Sequence, residues 1–321
     1  MFVCVLPVCV VSRVVSPQQR VVWPSSGASV VSHARVDASR VFDTRQVNPH
    51  TMRVYVVRHA QSANNALSVP SLMNPDRDSD PTLTETGFKQ AAALGKFVGE
   101  RFGDGAVADG SIPGKHQIKK LLVSPMRRCM LTATPMSAKL GVPITVRADI
   151  HEHGGCFDGS PGSVGGVVGR PGLTKAQLER EFPGFVVPVE LIKGWWSEQS
   201  GCETVPQAQA RVLQVKQWLW EMADGWKEKD GAVCLVVHGM FIDILLKAMS
   251  GVNLTSGKQQ VVFCSQNACV HVLELNSGSP QNLGRVCGIQ RFNGVDHLPI
   301  SIQTGGSLEG MDDCYVNEGS A

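Results

Sequence analysis

The chain has 321 residues, 43% of them hydrophobic and 18% charged, and its 30 basic and 28 acidic side chains leave a formal charge of +2. That balance supplies a sizeable core and argues against a nucleic-acid surface or an electrostatic membrane anchor, while no apolar run approaches the roughly 20 residues that would cross a bilayer. The 10 cysteines are scattered without a Cys-x-x-Cys spacing, which reads as reduced, intracellular thiols.

Residues 1–51 differ in composition from the rest of the chain. Arg13, Arg20, Arg35, Arg40 and Arg45 stand among many serines, with no lysine and only Asp37 and Asp43 as acids. Phe2 to Val11 is apolar, but no basic residue precedes it and Pro7 interrupts it, so a secretory signal does not fit. This stretch is expected to be a disordered leader, and its acid-poor composition keeps an organellar targeting segment open as the alternative. The folded unit is expected over residues 52–300.

Val54 to Val57 is an unbroken apolar run, the pattern of a short strand covered on both faces of a parallel sheet. It stops abruptly at Arg58-His59. In open α/β sheets ligands bind at the carboxyl ends of strands, and a turn there aims backbone N–H groups at an anion; Gln61 to Asn65 suits such a turn. Ala66 to Asp80 is a polar loop. Thr84 with Gly87 then opens a helix that places Phe88, Ala91, Ala92 and Phe97 on one face. Leu121-Leu122-Val123 is a second strand, leading into Ser124-Pro125-Met126-Arg127-Arg128, with Ser124 as N-cap and Pro125 at the first helical position. Pro135 predicts a break near Thr134, since an interior proline costs about 3 kcal/mol or more.

Val142 to Asp149 reads as a strand and delivers His151-Glu152-His153. The two histidines are expected to be ordinary loop residues, because further ligands for a metal are not found in the pattern. Residues 154–172 are dense in glycine without the Gly-Lys-Ser/Thr of a Walker loop, which suggests a mobile flap. Leu173 to Phe182 reads as a helix capped by Thr174, and Trp195-Trp196 as an apolar anchor for this insert. Gly201-Cys202-Glu203-Thr204 precedes an amphipathic helix with Val205, Ala208, Val212, Val215 and Leu219 inward. Val233 to Val237 is a third strand, ending at His238-Gly239. After it come an apolar helix from Phe241 to Met249, stopped at Gly251, and strands at Gln260–Cys264 and Cys269–Leu275. Residues 301–321 are expected to be a disordered tail. Repeated β-α alternation predicts an α/β fold, a three-layer α/β/α sandwich around a mostly parallel sheet.

If the three apolar strands lie side by side, two arginines or more, Arg58 with Arg127 or Arg128, converge on one point with His59 and His238. A compact, highly charged anion fits there, and a phosphoryl group fits well, because guanidinium forks match its oxygens and an imidazole supplies a nucleophile.

In these residues the chain resembles the histidine phosphatase superfamily, the group that includes phosphoglycerate mutase, fructose-2,6-bisphosphatase and broad phosphomonoesterases. The family's Arg-His-Gly-Glu/Gln-Ser/Thr followed by Asn is similar to Arg58-His59-Ala60-Gln61-Ser62 with Asn65. Its Leu-Thr-x-x-Gly-x-x-Gln-Ala is matched from Leu83 to Ala91, its Ser-Pro-x-x-Arg from Ser124 to Arg128, and its second-histidine turn by Val236-Val237-His238-Gly239. Gly201-Cys202-Glu203-Thr204 with Arg211 is similar to its Gly-Gly-Glu-Ser and later arginine, and Phe292-Asn293 to His297-Leu298 to its closing Asn and His-Leu.

The resemblance implies a phosphoglycerate mutase-like domain with a cap insertion over about 153–200. It implies a phosphomonoester hydrolase working through a phosphohistidine, with His59, Glu152 and His238 catalytic and Arg58, Asn65, Arg128 and Gly239 binding phosphate. Neither metal nor other cofactor is implied; the partner is a small phosphomonoester and the setting cytoplasmic. A mutase is the alternative, but relatives with that activity carry Glu-Arg-His-Tyr-Gly, and here Glu152 is followed by His153-Gly154-Gly155-Cys156. A silent phospho-ligand module is the other, and it has no need of two histidines, two arginines and an acid together. Ala60 replaces the usual glycine, which is strained only if its φ is positive.

Overall fold

The computed structural model describes residues 51–68, 74, 76–103, 117–159, 166–228, 231–252, 254, 261–278 and 284–308. The chain divides into two units, Met1–Gln46 and Val47–Ala321; all described residues belong to the second, so the expected leader, apart from Thr51, lies outside them. The elements run β1 (Thr51–Arg58), α1 (Glu85–Phe102), β2 (Gln117–Val123), α2 (Arg127–Leu140), β3 (Ile144–Val146), β4 (Phe157–Asp158), β5 (Val168–Gly169), α3 (Lys175–Glu181), α4 (Val205–Asp224), β6 (Gly231–Val237), α5 (Gly239–Met249), β7 (Val270–Asn276) and β8 (Val286–Gly294).

Six strands form one sheet in the order β3-β2-β6-β1-β7-β8. The first four are parallel, β7 runs antiparallel to β1, and β8 antiparallel to β7. Every residue of β6 is buried, as expected for a central strand covered on both faces. Alternation along β1 and β6 feeds two cores. Tyr55, Val57, Cys234 and Val236 pack with Leu94, Met130 and Met136 of α1 and α2, whereas Val54, Val56, Val233 and Leu235 pack with Val215, Leu219 and Phe241 of α4 and α5. This is the expected mostly parallel α/β sandwich. Among the described residues no helix is long and apolar enough to cross a membrane.

Register places the site. Val57 and Val123 both lie opposite Val236, one on each side of β6, so β1, β2 and β6 end level and release Arg58-His59, Ser124 and His238 at the same edge.

Several local expectations are corrected. Pro135 does not break α2, which runs unbroken from Arg127 to Leu140. Ala133 and Met136 beside it are fully buried, and α1 closes on the proline at Gly95, where a Cβ would come within 2.8 Å of Pro135 Cβ. The hydroxyls of Thr132 and Thr134 donate to the Arg128 and Met130 carbonyls at 2.6 and 2.9 Å. Burial of this helix outweighs the proline penalty. The same close approach changes the inner face of α1 to Gly87, Gln90, Ala91, Leu94, Gly95 and Val98, leaving Phe88 49% exposed. Thr84 caps α1 as expected, accepting from Gly87 N at 3.0 Å, and Thr174 caps α3.

Ser124 is not the N-cap of α2, which starts at Arg127 after Met126; its hydroxyl accepts from Met126 N at 3.4 Å and meets His238 Nε2 at 2.7 Å. Of Val142–Asp149 only β3 is strand, followed by a 3-10 turn at Ala148–Ile150. Residues 261–264 are not a strand, since Phe263 N turns to the Asp243 carboxylate at 2.8 Å; Gln260 lies outside the described residues. β8, unanticipated, has too little periodic burial to show as a pattern.

The tail does not begin at residue 301. Ile300–Ile302 is a 3-10 turn, Gly305 bridges to Gln266, and Gln90 donates to Ile302 O at 2.6 Å and to Thr304 Oγ1 at 2.9 Å. Backbone groups there have partners across the domain that composition does not reveal. Residues 309–321 lie outside the described residues. In the insert, Trp195 is buried against Gly172, and Trp196 lies against Gly155, whose φ is +71° and where a Cβ would sit 2.4 Å from the indole; residues 160–165 of the expected flap lie outside the described residues.

Candidate active site

The turn after β1 carries His59, 2% exposed. Its Nδ1 lies 2.7 Å from the Ala60 carbonyl, which fixes the ring proton on Nδ1 and leaves the lone pair on Nε2. Nε2 faces Arg128, whose Nε donates to it at 3.2 Å. Burial first, then the charges of Arg128 and Arg58, hold the His59 pKa well below its ordinary value, so the ring is a neutral imidazole at neutral pH. Ala60 N donates to Thr132 Oγ1 at 3.0 Å, tying the turn to α2. Among the described residues only Ala268 and Asn293 have positive φ outside glycine, so Ala60 in place of glycine is unstrained.

His238, fully buried at the end of β6, stands with its ring centroid 5.1 Å from that of His59. Its Nε2 meets Ser124 Oγ at 2.7 Å and Cys129 Sγ at 3.3 Å. Burial, reinforced by Arg128, lowers its pKa well below the usual histidine value. It therefore offers a neutral hydrogen bond here.

Arg58 gives one guanidinium bond to the Ser265 carbonyl, while its Nε is buried without a partner. Gly239 lies against it: a Cβ there would come within 3.3 Å of Arg58 Nε. Asn65 sits behind the His59 turn. Its Oδ1 accepts from Ser62 N at 3.2 Å and from Asn267 Nδ2 at 3.0 Å, and Asn267 Nδ2 also donates to His59 O at 3.2 Å.

Glu152 is anchored to the first turn of α5. Oε1 accepts from His153 N and Phe241 N, both at 3.0 Å, and Oε2 meets Met240 N at 3.4 Å. The positive end of a helix suits a carboxylate. The loop bearing it is clamped by Arg211, which pairs with Glu203 through two 2.7 Å bonds and donates to Asp149 O at 2.9 Å and His151 O at 3.1 Å. His59, Arg128 and His238 thus stand together, Arg58 has Gly239 against its guanidinium and feels the charge of Glu152, and Asn65 is joined to the His59 turn through Asn267.

A sequence model described as the histidine phosphatase superfamily (branch 1) matches residues 54–164 and 169–286, more than half of the chain. The chain belongs to the histidine phosphatase superfamily. No curated protein sequence gives a significant match. Among solved structures, a mycobacterial glucosyl-3-phosphoglycerate phosphatase complexed with VO3 has 22% identity and a TM-score of 0.45, with 76% of this chain and 100% of that one covered. A protein described as mycobacterial hydrolase 2 has 19% identity and a TM-score of 0.46, with 78% and 94% covered. YhfR of Bacillus stearothermophilus has 18% identity and a TM-score of 0.44, with 77% and 98% covered.

In this histidine phosphatase superfamily member the candidate site is also flanked by residues that the sequence motifs do not mark by role. Asp80, 8% exposed, accepts from Arg127 N at 3.0 Å and lies 3.9 Å from the Arg128 guanidinium; burial lifts its pKa to about 6 against the pull of Arg128 and Arg127. Gln90 accepts from Gln61 N at 2.7 Å and so links the His59 turn to Thr304. Gln90 falls within the Leu83–Ala91 match, so its position was visible although its partners were not. Asp80, Cys129 and Asn267 stand in no spacing that singles them out. Among the described residues no group of three or more His, Cys, Asp or Glu side chains is placed to hold a metal ion.

Proposed function

We propose that the chain is a phosphomonoester hydrolase that works through a phosphohistidine at His59. The observation that carries the reading is the tautomer: the Ala60 carbonyl keeps the proton on Nδ1, and the Nε2 lone pair is directed at the guanidinium that would hold a phosphoryl oxygen. In the first half-reaction Nε2 attacks phosphorus in line, the N–P bond forms and the ester P–O bond breaks. Arg58 and Arg128 balance charge on the equatorial oxygens, the electrostatic contribution that usually dominates phosphoryl transfer, and His238 adds a hydrogen bond. Glu152 delivers a proton to the departing alkoxide. Since Oε1 is taken by two N–H donors at 3.0 Å and Oε2 has only the 3.4 Å contact, Oε2 is the oxygen that carries it. Ionised, the same carboxylate takes a proton from water, which attacks phosphorus as the N–P bond breaks and phosphate leaves.

Cap charges favour hydrolysis over transfer to a second substrate. A mutase needs surplus cations for a bisphosphorylated intermediate, and two of the four cap cations are already paired, Arg170 with Asp158 and Lys175 with Glu179. Buried thiols at Cys129, Cys156, Cys234 and Cys269, all unpaired, fit a reducing compartment such as the cytoplasm. The test is trapping with labelled phosphomonoesters drawn from sugar phosphates, glycerates and nucleotides. An acid-labile, alkali-stable label on His59, absent together with turnover in His59→Ala, supports the reading. Normal turnover in His59→Ala ends it, and rapid interconversion of 3- and 2-phosphoglycerate with little free phosphate makes the chain a mutase.

A further inference from the structure

A cavity of about 220 Å³ opens between the last turns of α1 and the face formed by β1, β7 and β8, with Arg53, Phe97, Arg101, Phe102, Arg291 and His297 among its walls. It runs along β1 from Arg53 to the level of Val57, which pairs with the lining residue Val270, and its walls include none of Arg58, His59, Arg128, Glu152 and His238. The reaction proposed above uses none of these side chains.

Two features of the cavity point to a ligand. Its aromatic walls are ordered against one another: Phe97 stacks on His297 with centroids 4.9 Å apart and planes 25° apart, and meets Phe102 edge-on at 6.0 Å. The Arg101 guanidinium lies 5.8 Å from the centroid of the Phe97 ring. Its polar groups are incompletely used. Arg53 Nε and His297 Nε2 are both buried and make no hydrogen bond, and orphaned buried polar atoms are rare enough in folded proteins to call for an explanation. Arg53 and Arg291 are held in place by Glu274 and Asp296, and among the described residues no carboxylate lines the cavity, where the Tyr55 phenol also stands beside Arg53.

We propose that this cavity is a second binding site, separate from the His59 pocket, for a small planar aromatic anion that also carries a hydroxyl or N–H donor. The ring slots against Phe97 and Phe102, where face and edge contacts are available. The anionic group takes up the Arg53 Nε donor and faces the other guanidiniums, whose planar forks suit carboxylate, sulfonate or phosphate. The ligand's donor meets His297 Nε2. That nitrogen is an acceptor because the ring, kept neutral by burial, is hydrogen-bonded to the Ala268 backbone through its other side. Demand for both an anion and a donor is what separates this site from a general anion patch: an analogue lacking the hydroxyl leaves His297 Nε2 unpaired, and sites built to bond a hydroxyl discriminate strongly against its loss.

Calorimetric titration of the full chain with 4-hydroxybenzoate tests this, with benzoate as the analogue lacking the donor. The expected result is one site per chain, at least fivefold weaker binding of benzoate, and at least tenfold weaker binding of 4-hydroxybenzoate by His297→Phe and by Arg101→Gln. Arg101 is exposed, so its variant keeps the test valid should His297→Phe fail to fold; melting curves establish which variants are folded. Arg128→Ala, altered in the other pocket, is expected to bind 4-hydroxybenzoate as the unaltered chain does. No binding at millimolar concentration, equal binding of benzoate, unchanged affinity in Arg101→Gln, or loss of binding in Arg128→Ala would each overturn the proposal.

Discussion

Arg128 points its Nε at His59 Nε2 across 3.2 Å, so the proposed nucleophile and an anion-binding group face each other directly, and the guanidinium must give way to a phosphoryl group as a substrate enters. The contact also sets the electrostatics of the ring, since Arg128 is the largest charge holding the His59 pKa down after burial itself. Arg128→Ala is expected to lower kcat/KM by about 10²- to 10³-fold, the usual loss for one transition-state donor. It also removes a cause of the depressed pKa, so the acid limb of the kcat/KM profile moves to higher pH. A limb that stays in place would show that Arg128 does not act on this lone pair.

Glu152 is assigned to the leaving-group proton, so its loss depends on the leaving group. For Glu152→Gln we expect phosphoenzyme formation from alkyl phosphates to slow by about 10²- to 10⁴-fold. With p-nitrophenyl phosphate, whose phenolate leaves without a proton, formation survives while hydrolysis remains slow. Rapid mixing then shows a burst of nitrophenolate and accumulation of labelled protein. Equal loss with both substrate types, and no burst, would remove the acid role.

Asp80 gives the fold a pH dependence of defined sign. Its folded pKa of about 6 lies above the ordinary value of 3.8, so the folded state holds this proton more tightly than the unfolded one, and the contribution is fully present below about pH 4. It is lost as pH rises through about 6, by up to about 3 kcal/mol at about 1.4 kcal/mol per pKa unit. Melting temperatures at pH 4 and pH 7 should therefore differ by less in Asp80→Asn than in the unaltered chain. An identical pH dependence in the two would refute the assignment.

Lys247 and Asp243 form a 2.7 Å ion pair with side chains 1% and 0% exposed, and Asp243 also holds Phe263 N on the segment that leads to Ser265 and Arg58. Removing one member of a buried pair strands the other charge, so Lys247→Met is expected to cost about 3–5 kcal/mol. The urea midpoint reports this. A displaced Arg58 would show as a raised KM, and a change below about 1 kcal/mol would contradict the account.

What the sequence by itself determined is what local pattern and ordered motifs encode. Unbroken apolar runs at Val54–Val57 and Val233–Val237 identified buried parallel strands, because burial on both faces leaves no room for polar alternation. The abrupt switches to Arg58-His59 and His238-Gly239 marked the carboxyl edge where the candidate site lies. The Ser124–Arg128 match singled out Arg128 rather than Arg127, and the structure places it on His59 while Arg127 turns outward to Glu181.

The tertiary structure alone decided whatever depends on partners far away in the chain. Pro135 stays inside a helix because Gly95, on another helix, lets α1 close over it. Ser124 stands before α2 with its hydroxyl shared between Met126 N and His238, a partner distant in sequence. Residues 301–305 belong to the domain because Gln90 and Gln266 accommodate their backbone. Asp80 acquires its shifted pKa only once it is buried beside Arg127 and Arg128. Pattern reading follows the periodicity of one segment, whereas burial, the pairing of charges and the satisfaction of backbone groups are settled between segments that only folding brings together.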